Sequence, residues 1–176
     1  MRFTIDEAGH KIAVAPGIIF TNKQRIDWKD VKSYLQRYVG MVVEVEETKD
    51  LIHIGNVFPS EYGGSTYTRS LKGGRAKAKA NAVQVIVEML KIASERTYSV
   101  NMKQKHANDA AYGWYYYNTR FALPVYDNKE KTENLNVYTA CLVVNHAANG
   151  KRYLYDVLDI KKEACNPLKT DRTSDI

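Results

Sequence analysis

KHANDAAYGWYYYNTRFALPVY, from Lys105 to Tyr126, is the stretch on which the reading of this chain turns. In it a helical pattern gives way to a strand, and a histidine and an arginine stand beside a run of aromatic rings. From Trp114 onward, strand alternation puts Trp114, Tyr116, Asn118, Arg120 and Ala122 on one face. Tyr115, Tyr117, Thr119, Phe121 and Leu123 take the other, which is the more apolar and should pack on helices. The first face is then open, with two rings, an amide and a guanidinium in a row. Such a row suits stacking a base and clamping a phosphate. The competing reading is a solvated sheet face with ordinary cross-strand pairs.

Working outward, LNVYTACLVVNHA and KRYLYDVLDIKK are equally rich in aromatic and β-branched residues. Asp127-Asn128-Lys129 begins one connection and Asn149-Gly150 marks a tight turn in the other. This predicts an antiparallel meander over Trp114 to Val125, Asn136 to Asn145 and Lys151 to Ile160. Upstream, Ala76, Ala80, Val83, Val87 and Leu90 form an apolar stripe, widened by Ile86 and Ala93. The stripe predicts a helix from Gly74 to Glu95, with a shorter helix over Val100 to Ala111 ending at Gly113. FPSEYGGSTYTRSLKGG reads as a loop.

Nearer the N-terminus, Asp27 is a candidate N-cap for a helix carrying Trp28, Val31, Leu35 and Val39, stopped by Gly40. MVVEVEE and LIHIGNVF read as a hairpin across Thr48-Lys49-Asp50, and RFTI and KIAVAPGIIF as extended runs around DEAGH. The expected class is α+β, with helices on one face of an antiparallel meander and the N-terminal helix and β-hairpin as an elaboration. One domain is expected over residues 1–164, divided into the elaboration at 1–60 and a helix-plus-meander core at 61–164. A polar tail should follow at 165–176.

A chain of 176 residues is long enough to bury a substantial core. Its 13 tyrosines against 4 phenylalanines suit half-exposed sheet faces and binding surfaces. A net charge of +6 and a pI near 9.2 fit an anionic partner or a solvated basic surface. Two cysteines, Cys141 and Cys165, make no disulfide framework, and Cys141 falls in an apolar strand as a small buried hydrophobe. No apolar run approaches membrane-spanning length and MRFTIDEAGH has no apolar leader core. The expected setting is therefore a reducing cytoplasm without a membrane partner. His10, His53, His106 and His146 lack metal-ligand spacing, and no paired C-x-x-C occurs, so neither metal nor cofactor is expected. The G-x-S-x-G, dinucleotide and H-E-x-x-H patterns are absent as well.

RSLKGGRAKAKAN carries Arg69, Lys72, Arg75, Lys77 and Lys79 with no acid among them. The preceding glycines and the helix N-terminus add free N–H groups, which favour an anion, although the P-loop spacing is missing. Arg75 and Lys77, with Trp114 and Asn118 from the strand, are the candidate nucleic-acid contacts; a solvated charge run is the alternative. His106 lies a turn from Met102 and Ala110, with Asp109 three residues on. It is a candidate general acid or base, or else a satisfied core histidine.

The run SEYGGSTYTRSLKGGRAKAKANA, then KHANDAAYGWYYYNTRFALPV, then NGKRYLYDVLDIKKEACNPL, resembles a known group. These are the nuclease-like domains of phage and conjugative-element polyvalent proteins. In layout they are similar to the superfamily of barnase, EndoU, the tRNA-cleaving colicins and RelE, called the BECR fold. The similarity spans about Trp28 to Leu168 and implies a toxin-like, metal-independent endoribonuclease of a mobile element. EndoU-like enzymes use two histidines and a lysine, whereas RelE-like ones use arginine, lysine and tyrosine. Here His106 alone lies in the matching helical region, with His146 of NHAANG as the one alternative second histidine.

A mixed set follows from that comparison. His106 is expected to move protons, Arg120 and Lys79 to hold the phosphate, and Tyr116 to stack or transfer a proton. The substrate's own 2′-hydroxyl would attack the phosphate, so no protein nucleophile is needed. Two rival classes keep the scaffold without the chemistry. One is a nucleic-acid- or protein-binding accessory module, and the other an anti-defence protein of a mobile element.

Overall fold

Aromatic and β-branched residues on both faces drive the C-terminal half into three long strands, and everything else is arranged around them. The computed structural model describes residues 3–21, 25–125, 134–163 and 168–169. Strands β1 (Phe3–Ile5) and β2 (Lys11–Val14) precede helix α1 (Trp28–Leu35) and the pair β3 (Val42–Glu44) and β4 (Leu51–His53). Helices α2 (Phe58–Gly64), α3 (Thr66–Ser70), α4 (Gly73–Ala82) and α5 (Ile86–Lys91) follow. Then come β5 (Ser94–Ser99), β6 (Trp114–Val125), β7 (Asn134–His146), β8 (Arg152–Lys162) and β9 (Leu168–Lys169).

The protein is α+β. Its sheet of 9 strands runs β1-β2-β6-β7-β8-β4-β3, with β5 added to β6 and β9 to β7. Strands β6, β7 and β8 are neighbours in sequence order and antiparallel at both joins. The sheet as a whole is mixed, which corrects the expected antiparallel one. β2 joins β6 in parallel at Ala13 and Val14, and β4 joins β8 in parallel at Ile52 and His53. The physical reason is tertiary: β6 and β8 each have a free edge, and apolar N-terminal strands pair there. The β3–β4 hairpin is accordingly part of the sheet and not an appendage to it.

The inner face is built as alternation requires. Tyr117, Thr119, Phe121 and Leu123 are buried, and the three aromatic or aliphatic ones join the main core with Leu142, Val144, Leu154 and Ile160. The helical stripe Ala76, Ala80, Val83, Ile86 and Leu90 meets them there. Ala122 departs from the expected open face: it is buried in a second, smaller cluster with Ile12, Val14, Leu135 and Val137.

Several expected boundaries move. The long helix is two helices joined by a 3-10 turn at Val83–Val85, where β-branched side chains crowd the backbone. It ends at Lys91, because Ser94–Ser99 pairs instead with β6. The expected helix over Val100 to Ala111 is reduced to a 3-10 turn at Gln104–His106 followed by turns. Residues 58–64 and 66–70 are helical, in place of the expected loop. Pro59 fits the first turn of α2, and Tyr62 anchors it by donating to the Lys79 carbonyl. Gly113 has φ +94, and a Cβ there would stand 2.6 Å from the Ser99 carbonyl oxygen, so only glycine admits β5 this closely.

The other signals act as read. Asp27 caps α1 by accepting from the Lys29 N–H, and Gly150 turns the chain between β7 and β8 with φ +84. Within the expected tail, Leu168–Lys169 pairs with Asn134 and Leu135. The Asp127-Asn128-Lys129 connection and Cys165 lie outside the described residues. Among the described residues no helix is long and apolar enough to cross a membrane.

Candidate nucleic-acid interface

The residues singled out from the sequence do not converge; they divide among three hollows and one buried ion pair. Lys79 is the largest correction. It is 0% exposed, and its Nζ donates to Asp156 Oδ1 and to Thr68 Oγ1, both at 2.7 Å. The rings of Tyr62 and Tyr67 cover the ammonium. The reason is local geometry: Lys79 follows Ala76, Ala78 and Ala80 onto the buried side of α4, where only a buried carboxylate makes its charge tolerable. Desolvation lowers the Lys79 pKa despite Asp156, and raises that of Asp156 despite Lys79 and Ser65. So placed, the Lys79 ammonium faces Asp156 and Thr68 and not a solvent-exposed surface.

Arg120 is also committed. Its Nε and Nη2 form a fork on Glu163 at 2.7 and 3.0 Å, and Nη1 donates to Asp6 at 2.6 Å. This joins β6 to the β1–β2 turn and to the end of β8, using the donors that a phosphate would need. Asn118, on the same face, donates to Glu95. Both line a hollow of about 780 Å³ in which Glu46, Glu47, Glu95 and Asp159 face Lys11, Lys91 and Lys161, so its charges are mixed and not uniformly basic. The His146 ring lies tilted against Tyr112 and Tyr115, and supplies no second histidine beside His106.

His106, Trp114 and Tyr116 do come together. They line a hollow of about 670 Å³ between α2–α3 and the N-terminal half of β6. Tyr155 from β8 completes a trio of perpendicular rings. His106 meets Trp114 at 5.1 Å and Tyr155 at 5.8 Å, and Trp114 meets Tyr155 at 5.0 Å. The imidazole is only 12% exposed; its Nδ1 is buried, 3.7 Å from the Asp109 carboxylate and without a hydrogen bond. Exposed Arg69, Lys103 and Lys105 form its rim, and the half-buried Glu61 and the buried Asp156 also line it. Burial, with the Glu61 carboxylate and a hydrogen bond to it adding, pushes the Tyr155 hydroxyl up to about 12. Burial likewise raises Tyr116, and a phenol shifted upward is a poor proton donor near neutrality.

Arg75 and Lys77 lie in a separate, wider hollow of about 1320 Å³. Exposed Lys72, Lys161 and Lys162 line it with them, and among the described residues no carboxylate does. Tyr67 belongs to both hollows, its hydroxyl accepting from the Ile160 N–H at 2.8 Å. A strip of cations thus continues across one tyrosine into a cluster of rings. The sequence held Arg75, Lys77 and Trp114 in plain view. Tyr155, Lys161 and Lys162 carried no local signal, because strand pairing alone brings β8 beside β6 and α4. Among the described residues no group of three or more histidine, cysteine or acidic side chains is placed to hold a metal ion. No family model, curated protein or solved structure matches the chain.

Proposed function

We propose that this chain binds single-stranded nucleic acid, RNA above all, along the two hollows that meet at Tyr67. The observation that carries the reading is this junction: Lys72, Arg75, Lys77, Lys161 and Lys162 on one side, Trp114, Tyr116 and Tyr155 on the other. Cations that follow a backbone beside rings that stack bases are what an unpaired strand requires. The resemblance to nuclease-like domains of phage and mobile-element polyvalent proteins supports the same class of partner. On the same reading the central meander, with helices before it, is a BECR-like core to which β2 and β4 add parallel strands, and the chain is an accessory module of that kind.

Titration of a labelled single-stranded RNA at low and high salt tests the reading. Affinity should fall steeply with salt, and Trp114→Ala should weaken binding by about 1–3 kcal/mol, the scale of one stacked base. The folded state of the variant is checked by circular dichroism. No binding at about 50 mM salt, where phosphate contacts are strongest, sinks the proposal.

One observation favours cleavage as a second reading: the His106 imidazole, with an unbonded Nδ1, lines the ring-walled hollow beside Arg69, Lys103 and Lys105. In that mechanism the 2′-oxygen of RNA attacks the adjacent phosphorus, the 5′-oxygen leaves with a proton, and a cyclic phosphate remains. His106 would move the proton and the rim cations would hold the phosphate, in place of Lys79 and Arg120. Incubation with RNA in excess EDTA should yield cyclic-phosphate ends that His106→Asn abolishes; intact RNA leaves binding alone.

A further inference from the structure

A fourth hollow, of about 420 Å³, opens between the β4–α2 turn, the loop before β6 and the β7–β8 turn. Its polar lining is of a different kind from the others. Asn56, Asn108, Asn145 and Asn149 surround it, Asp109 is the one charged residue among the described residues that line it, and Phe58 and Leu154, both 2% exposed, lie beneath. Two of the amides are spent on the fold. Asn145 donates to the Asp109 carbonyl, and Asn149 donates to the Tyr153 hydroxyl at 3.0 Å while accepting from the Lys151 N–H at 2.9 Å. The exposed side chains of Asn56 and Asn108 make no hydrogen bond to the described residues.

Tyr155 lines both this hollow and the ring-walled one, so the two share a wall. From these features we infer that the hollow between Asn56 and Asn108 receives one unpaired nucleobase and reads its edge. The inference rests on the single-stranded nucleic-acid reading above. A hollow with neither lysine nor arginine among the described residues of its lining is unsuited to phosphate, while an apolar floor accepts the flat body of a base. An amide presents one acceptor and two donors, the complement of the mixed edge of a base, and asparagine is well suited to adenine in particular. A strand stacked on Trp114 and Tyr155 would bring its next base over the Tyr155 wall. The outer hollows supply affinity without sequence preference, and this one supplies preference.

The test measures binding of the full chain to oligoadenylate, oligocytidylate and oligouridylate of equal length by fluorescence anisotropy. Wild-type protein should favour one of the three, adenylate first, by roughly tenfold, the scale of one well-formed hydrogen-bonded contact. Asn56→Ala and Asn108→Ala should each flatten that preference while leaving the salt dependence unchanged. Both side chains are exposed, so equal denaturation midpoints will show that the variants fold. Equal affinity of wild type for all three, or a preference that survives both substitutions, overturns the inference and leaves the binding reading standing. Absence of binding to any of them overturns both.

Discussion

Arg75 and Lys79 stand one turn apart on α4 and meet opposite fates. Arg75 is exposed and lines the basic hollow, while Lys79 is 0% exposed and paired with Asp156. Both belong to the same run of basic residues, and in sequence nothing separates them. The helix surface does, because the buried stripe of α4 is wider than its alanines alone suggest and takes in Lys79 and Asn81. Charge at one end of the helix is thereby a structural element, and at the other end a free surface. A cation's place in a motif says little about its role until its neighbours are known.

Lys79→Met should break the comparison most severely. It leaves the Asp156 carboxylate buried without its ammonium, which costs about 3–5 kcal/mol in urea unfolding. Adding Asp156→Asn should restore much of that loss, since the unpaired charge is what costs. If Lys79→Met is neutral, the pair is not a structural necessity and the phosphate role of Lys79 reopens.

A second buried acid sharpens the point with a smaller effect. Burial pushes Asp50 up, but hydrogen bonds from Tyr117, Thr48 and Arg96 outweigh it and hold the carboxyl below its ordinary 3.8. Arg96 grips both oxygens, at 3.0 and 2.8 Å, and thus ties β5 to the β3–β4 hairpin. A carboxyl held low stabilises the fold above pH 3.8, and the contribution fades as pH falls through the lowered value. Tyr117→Phe should cost about 1.5–3 kcal/mol near neutral pH, as expected for a hydrogen bond to a charged group. The gap to wild type should narrow in acid. A gap independent of pH would mean that the tyrosine acts through packing alone.

The smallest effect on stability should come from the exposed end of α4. Arg75→Gln with Lys77→Gln should change the unfolding free energy by no more than about 0.5 kcal/mol. The same pair should reduce the slope of log affinity for RNA against log salt by about one per side chain. Loss of stability without a change in slope would place these residues with Lys79 after all.

The sequence by itself determined the α+β class, the course of β6, β7 and β8, the cap at Asp27, the turn at Gly150 and the division of β6 into two faces. Each depends on periodicity or on the backbone preference of one residue, and both are written locally. It also marked Trp114, Tyr116, Arg75 and Lys77, because ring content and charge are visible without a fold. Tertiary structure alone decided that β2 and β4 extend the meander in parallel, and that residues 58–64 and 66–70 are helical around Tyr62. It alone buried Lys79 on Asp156, closed Arg120 on Glu163 and Asp6, and set Tyr155 beside His106 and Trp114. These pairings join residues dozens of positions apart, and the free energy of burying a charge or a ring depends on what the distant partner is. No local pattern encodes that partner.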